Sequence, residues 1–233
     1  MATPFLLEIS VETAEAAAAA ERGGAQRVEL CADLSRGGLT PSDELMRRVR
    51  ELVRVPIFAM IRPRAGDFAY SPEEIARMHS GIAAVKRARM DGIVLGVLTA
   101  ERHVDVERTR ELVKLAEPLP VTFHRAFDEV ADLDAELEAV IETGAARILT
   151  SGGAPTAPQG LGTLAKLVAA AGKRITIVPG SGISALNILE VAQQTRAREI
   201  HSGLGTRIPY GSGNGALFED EVRKMANVLA MQV

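Results

Sequence analysis

The sequence predicts an α/β chain forming one domain over 1–233, a TIM-type (β/α)8 barrel. Three observations lead there. Short apolar runs and helix-like segments alternate eight times. The units recur every 25–35 residues or so, roughly the length of a βα unit, with no linker long enough to divide two domains. The apolar runs are nearly continuous, as strands are when both faces of a parallel sheet are covered. An open doubly wound sheet is the runner-up. Against it, the first strand lacks a G-x-G-x-x-G turn, and eight equal units close more naturally than they stay open.

The first strand is the run from Phe5 to Ser10, broken by Glu8. An alanine-rich helix over about 12–22 follows and stops at Gly23-Gly24. Its five consecutive alanines, 16–20, are strong helix formers that permit close packing on a sheet. Arg27-Val28-Glu29-Leu30-Cys31 is the second strand, and Pro41-Ser42-Asp43 caps a helix to about Val53. The third strand, Ile57 to Arg62, runs into the loop Pro63-Arg64-Ala65-Gly66-Asp67-Phe68-Ala69-Tyr70. Ser71-Pro72-Glu73-Glu74 opens a long helix whose Ile75, Met78, Ile82 and Val85 share one face.

Gly92 to Gly96 is the fourth strand, with Asp105 the N-cap of a helix to about Ala116. The fifth strand, Leu119 to Phe123, ends in His124-Arg125-Ala126-Phe127-Asp128; Asp132 or Asp134 starts its helix, which ends near Thr143-Gly144. The sixth strand is Ala146 to Thr150, followed by Ser151-Gly152-Gly153 and a helix over about 161–171. The seventh is Arg174 to Val178, followed by Gly180-Ser181-Gly182 and a helix capped by Ser184. The eighth is Arg198 to His201; a glycine-rich loop to Gly215 then precedes a last helix over about 217–230. The stretch 211–215 reads equally as a flap or as a plain surface loop.

Composition bounds the function. At 47% hydrophobic the chain can bury a sizeable core. Net charge is −3 with acids and bases well mixed, and aromatics are 3%, so neither a basic stripe nor base-stacking platforms speak for nucleic acid. The lone cysteine, Cys31, forms no intramolecular disulfide and fits a reducing cytoplasm. Met1-Ala2-Thr3-Pro4 has no leader-like pattern, and no apolar stretch approaches ~18 residues, so a soluble chain with no membrane partner is expected.

The chemistry-bearing residues gather at strand ends, where barrels place ligand chemistry. These are Glu8, Glu29 with Cys31 on the same side, Arg62 with Arg64 beyond it, His124, Arg125, Ser151 and His201. Carboxylates inside apolar strands are costly to bury unpaired, so Glu8 and Glu29 need a counter-ion, and Arg62 is the candidate. The bland alternative is an ion-pair network that merely closes the barrel.

Three chemistries fit. Glu8, Glu29, His124 and His201 could hold a divalent cation. Alternatively, Glu8, Glu29 and His124 act as acid and base on a small sugar-like or anionic metabolite, clamped by Arg62, Arg64 and Arg125. The third is copper(I) at the soft thiol of Cys31, although a lone cysteine is more often a small buried hydrophobe. The N–H groups around Ser151, Gly152 and Gly180 could add an anion site, though glycine also simply permits tight βα turns. Phe68 and Tyr70 read as an apolar wall of the mouth, and His79 and His103 as surface residues.

Several of these stretches together resemble the CutC family: Val28-Glu29-Leu30-Cys31, Ile61-Arg62-Pro63-Arg64-Ala65-Gly66-Asp67-Phe68, Leu119 through Asp128, and Ile148-Leu149-Thr150-Ser151-Gly152-Gly153. The resemblance runs nearly end to end and in order. It implies a TIM-type barrel, a cytoplasmic homodimer and a part in copper homeostasis, with Cys31 as copper ligand. Where that family often has a cysteine soon after the first strand's glutamate, this chain has Ser10. A lyase- or isomerase-type enzyme and a non-catalytic scaffold are the competing expectations.

Overall fold

The structure is a computed structural model that describes residues 5–211 and 213–231. Residues 1–4, read above for a leader, residue 212 of the 211–215 stretch and residues 232–233 lie outside the described residues.

The strands are β1 (Leu6–Val11), β2 (Arg27–Leu30), β3 (Ile57–Met60), β4 (Gly92–Leu95), β5 (Val121–Phe123), β6 (Arg147–Thr150), β7 (Thr176–Pro179) and β8 (Glu199–Ser202). Between and after them come α1 (Ala14–Arg22), α2 (Asp43–Leu52), α3 (Pro72–Arg87), α4 (Val106–Ala116), α5 (Leu133–Thr143), α6 (Leu161–Ala171), α7 (Ile188–Thr195), α8 (Leu204–Arg207) and α9 (Gly215–Ala230). Every ladder pair is parallel, and the sheet runs β7-β6-β5-β4-β3-β2-β1-β8. β7 and β8 lie side by side and bring the sheet round into a nearly closed barrel, with no ladder pair joining them among the described residues.

Local chemistry explains the helix starts. Thr13, Ser42, Ser71, Asp105 and Asp132 each accept a backbone N–H of the first turn, and Ser71 with Glu74 completes a capping box. Ser184 behaves differently from its expected role. Its hydroxyl accepts the Leu186 N–H, and Asn187 accepts the Ser184 N–H, which builds a turn and delays α7 to Ile188. The glycine-rich loop after β8 holds the short helix α8, which periodicity does not reveal.

The alternation of strand side chains separates two cores. Outward positions such as Leu7, Ile9, Val28, Leu30, Ile57, Ile93 and Leu95 pack with the helices in one large cluster. The inner face carries a much smaller apolar cluster, Cys31, Leu34, Phe58, Met60 and Val94. Polar and charged side chains make up much of the rest of the barrel interior, including Glu8, Arg27, Glu29 and His201, all buried. Near the N-terminal ends of the strands, the Phe58 ring packs against two guanidinium groups, with Arg27 Cζ 4.8 Å and Arg147 Cζ 4.6 Å from its centroid. Gly92 makes room for it, since a Cβ there would stand 2.5 Å from Phe58 Cζ.

Candidate functional site

Register builds the site. Glu8 on β1 is opposite Arg27 of β2 on one flank and His201 of β8 on the other. One Glu8 oxygen pairs with Arg27 Nε, and the other lies 2.7 Å from His201 Nδ1. Arg27 also reaches Glu199 at 2.7 Å, and Glu199 pairs with Arg147 at 3.2 Å. Burial pushes the Glu8 carboxyl up, but Arg27 and His201 together outweigh it and bring it down to about 2. Burial opposes charge on His201 as well, yet Glu29 and Glu8 raise its proton affinity, so the imidazole favours the cation.

Next to this pair lies Glu29, also on β2. Its Oε2 is 4.0 Å from His201 Nε2 and accepts the Cys31 thiol at 3.5 Å, while its Oε1 has no hydrogen-bond partner. Burial and the neighbouring Glu8 raise the Glu29 carboxyl, with His201 opposing them. Cys31 is fully buried, and burial and Glu29 lift its thiol well above its ordinary value. Glu8, Glu29 and His201 offer ligand atoms that all lie within 4.8 Å of one another.

Over these residues a cavity of about 860 Å³ opens at the C-terminal ends of the strands, with Glu29, Arg62, Phe68, His124, Arg125 and His201 in its lining. His124, just past β5, accepts the Ala126 N–H on Nδ1 at 3.2 Å, and its Nε2 has no partner. Burial, then the Arg62 cation, lowers its pKa to about 3, so the ring is neutral. The Phe68 ring lies against it, tilted by 55° with centroids 4.8 Å apart, and the Arg62 guanidinium lies 4.8 Å from the same phenyl ring.

The structure gathers most of the sequence candidates and separates a few. His124 stands apart from the three-residue cation group of Glu8, Glu29 and His201. Arg62 is not the counter-ion of the glutamates. Arg27 has that place, because it is the ladder neighbour of Glu8, and Arg62 instead donates to the Arg36, Gly38 and Gly66 carbonyls. Arg64 turns away from the mouth to Asp67 and Glu74, both at 2.7 Å. Tyr70 is buried under Arg64, outside the cavity lining that Phe68 joins. His79 and His103 pair with Glu111 and Glu136 on the outside.

The glycine turns do not present bare N–H groups. Asp128 accepts the N–H groups of Ser151 and Gly153 together with the Thr150 hydroxyl, and Thr150 Oγ1 accepts the Gly152 N–H. Gly180 N–H bonds to the Thr150 carbonyl, and the Ser151 hydroxyl donates to Ala154 while accepting from Arg125. The aspartate that closes the Phe-His-Arg-Ala-Phe-Asp stretch therefore pins the β6 turn. Sequence reading also misses Arg27, Arg147 and Glu199 as interior charges. Their signal was present, since Arg27-x-Glu29-x-Cys31 and Glu199-x-His201 follow the period of two that puts side chains on one sheet face.

A nearly closed parallel barrel with carboxylate, imidazole and guanidinium groups lining a cavity at the C-terminal ends of its strands defines the class: a (β/α)8 barrel protein. Comparison narrows this. The CutC family profile matches residues 5–206, and the chain belongs to the CutC family. It is 45% identical over 200 residues to a human protein described as a copper homeostasis protein cutC homolog, covering 86% of this chain and 73% of that one. A CutC family protein of Vibrio vulnificus is 44% identical over 226 residues, covering 93% and 90%. A solved structure from Streptococcus agalactiae, described as a copper homeostasis protein CutC, superposes with a TM-score of 0.81 at 30% identity, covering 85% of this chain and 98% of that one. A phosphoribosylanthranilate isomerase variant from Thermotoga maritima, at 16% identity and a TM-score of 0.62, shares the fold alone.

Proposed function

We propose that the chain serves copper homeostasis by binding a copper ion at the inner wall formed by Cys31, Glu29 and His201. The observation that carries this is contiguity. The Cys31 thiol is 3.5 Å from a Glu29 oxygen, which is 4.0 Å from His201 Nε2. Glu8 occupies Nδ1 of His201 and so leaves Nε2 as the ligating nitrogen. A soft thiol beside an imidazole suits copper, with the carboxylate balancing charge. A harder divalent cation has less support, because both Glu8 oxygens are already engaged by Arg27 and His201. The description of relatives as copper homeostasis proteins supports the same reading.

Copper must displace two protons, that of the Cys31 thiol, which is held tightly, and that on Nε2 of the His201 cation, so uptake strengthens as pH rises. The test is a copper(I) titration against a competing chelator. Cys31→Ser is expected to weaken binding roughly tenfold or more, and equal affinity in both proteins sinks the assignment. A cytoplasmic location and a homodimer belong to the same proposal; sedimentation of the purified chain checks the second.

The enzymatic alternative has weaker support. Glu8 is held ionised between two cations, and a His124 with a pKa of about 3 is a poor base near neutrality. A purely structural role fits the Glu8–Arg27–Glu199–Arg147 chain better than it fits the residues at the mouth.

A further inference from the structure

Among the arginines that line the mouth, Arg62 differs in its charge environment. Arg36 pairs with Asp33 at 3.5 Å, Arg125 with Asp128 at 2.8 Å and Arg207 with Glu221 at 2.9 Å. Arg62 is 6% exposed and makes no ion pair among the described residues. Its Nη1 donates to Arg36 O at 3.1 Å and Gly38 O at 3.3 Å, and its Nη2 to Gly66 O at 2.8 Å. Three carbonyls orient the group without cancelling its charge. Its Nε makes no well-formed hydrogen bond, and the Tyr70 hydroxyl is the polar group beside the guanidinium. A buried cation without a counter-ion is expensive to maintain, so a fold that fixes one in place points to an anion arriving from outside.

A second group meets it. His124 is 3% exposed and lines the same cavity. Its Nδ1 accepts a backbone N–H, so the neutral ring carries its proton on Nε2, and that donor is unpartnered. A Cβ on Gly96 would stand 2.5 Å from Nδ1 and 2.7 Å from Cε1, so that edge of the ring is packed against β4 and cannot swing. Phe68 stands against both groups, 4.8 Å from each, and fixes their spacing. Carboxylates also line the mouth: Asp128 is neutralised by Arg125, Glu129 is exposed at the rim, and Glu29 stands on the β2 wall 4.0 Å from His201 Nε2. The cavity, at about 860 Å³, has the size of a small-molecule pocket.

We infer that the β3/β5 side of the mouth, built by Arg62, His124 and Phe68, is a binding site for a small organic oxyanion. Carboxylate and phosphate monoester share the necessary chemistry, an anionic oxygen that accepts from both N–H groups. The phenyl ring of Phe68 provides an apolar side for the carbon skeleton. This site is distinct from the Cys31 wall and does not rest on copper binding.

The test is an NMR titration of the intact chain with inorganic phosphate and, separately, with malonate, reading the His124 ring nitrogens. Saturable shifts at millimolar concentration are expected from at least one anion. Response to phosphate alone or malonate alone identifies the source, and response to both leaves the shared oxyanion as the determinant. His124→Asn keeps an acceptor for the Ala126 N–H but loses the Nε2 donor, and is expected to weaken binding roughly tenfold, read by calorimetry. His124→Gln, which can place an amide N–H near the Nε2 position, is expected to recover part of it. Arg62→Lys keeps the charge without the fork and is expected to bind more weakly. If no anion saturates, or if folded His124→Asn binds as tightly as the native chain, the inference is wrong.

Discussion

Glu8 and His201 face each other across the β1–β8 ladder with Oε1 and Nδ1 2.7 Å apart, both buried. The pair sets its own pH window. Glu8 falls from an ordinary 4.5 to about 2, so its contribution to stability is complete above 4.5 and is lost as pH falls toward 2. His201 is raised from 6.5, so its contribution is complete below 6.5 and is lost as pH rises through the elevated value. The two overlap between 4.5 and 6.5. Glu8→Gln leaves Arg27 and His201 without their shared anion and is expected to cost about 3–5 kcal/mol. Denaturant unfolding of both proteins across that window measures it, and a difference under about 1 kcal/mol removes Glu8 from the stability argument.

His124 runs opposite to His201 and, like Glu8, loses its contribution in acid. Its pKa drops from 6.5 to about 3, so the stability it contributes is complete above 6.5 and is lost as pH falls toward 3. The slope for one such group is about 1.4 kcal/mol per pH unit at most. His124→Asn is therefore expected to flatten the decline of stability between 6.5 and 4.5, where Glu8 is still fully contributing. Parallel curves for variant and native chain would contradict a neutral buried ring.

Phe58 packs against two guanidinium groups at 4.8 and 4.6 Å. Burial, then Arg27, already lowers the proton affinity of Arg147, and beside the ring the two guanidinium groups share one Glu199 oxygen. Phe58→Ala is expected to cost about 3–5 kcal/mol in lost packing alone, with about 0.5–2 more per cation–π contact. Gly92→Ala attacks the same place from β4, because its new Cβ overlaps the ring. A thermal melt of each variant is the measurement, and a native melting point for Gly92→Ala means the ring can move.

Asp128 holds the β6 turn through two backbone N–H groups and one hydroxyl. Asp128→Ala leaves these donors unpaired and is expected to cost about 2–4 kcal/mol. Hydrogen exchange at Ser151 and Gly153 should speed up selectively. Unchanged protection at both amides would show that another element fixes the turn.

Cys31 is fully buried with its thiol held protonated. In the native chain it should resist an aromatic disulfide reagent at mildly alkaline pH and react completely only after unfolding. Rapid native labelling would mean that the mouth opens far enough to expose the floor.

Much of the fold is legible in the chain because it depends on local chemistry. Serine, threonine and aspartate caps mark helix starts at Ser42, Ser71, Asp105 and Asp132. Nearly continuous apolar runs mark strands covered on both faces. Ser184 and the α8 segment escape this reading, since a side-chain turn and a four-residue helix leave no periodic trace.

The candidate site divides along the same line. The sequence by itself determined which residues stand at strand ends, and so named Glu8, Glu29, Cys31, Arg62, His124 and His201. Which of them pair depends on strand register and loop direction, which are properties of the closed sheet. Register put Arg27 beside Glu8, where sequence order suggested Arg62. The path of the loop after β3 turned Arg64 outward to Glu74 and left Arg62 buried without an anion. A charge is visible in a sequence. The presence or absence of its partner is settled only when distant strands come within a few ångströms.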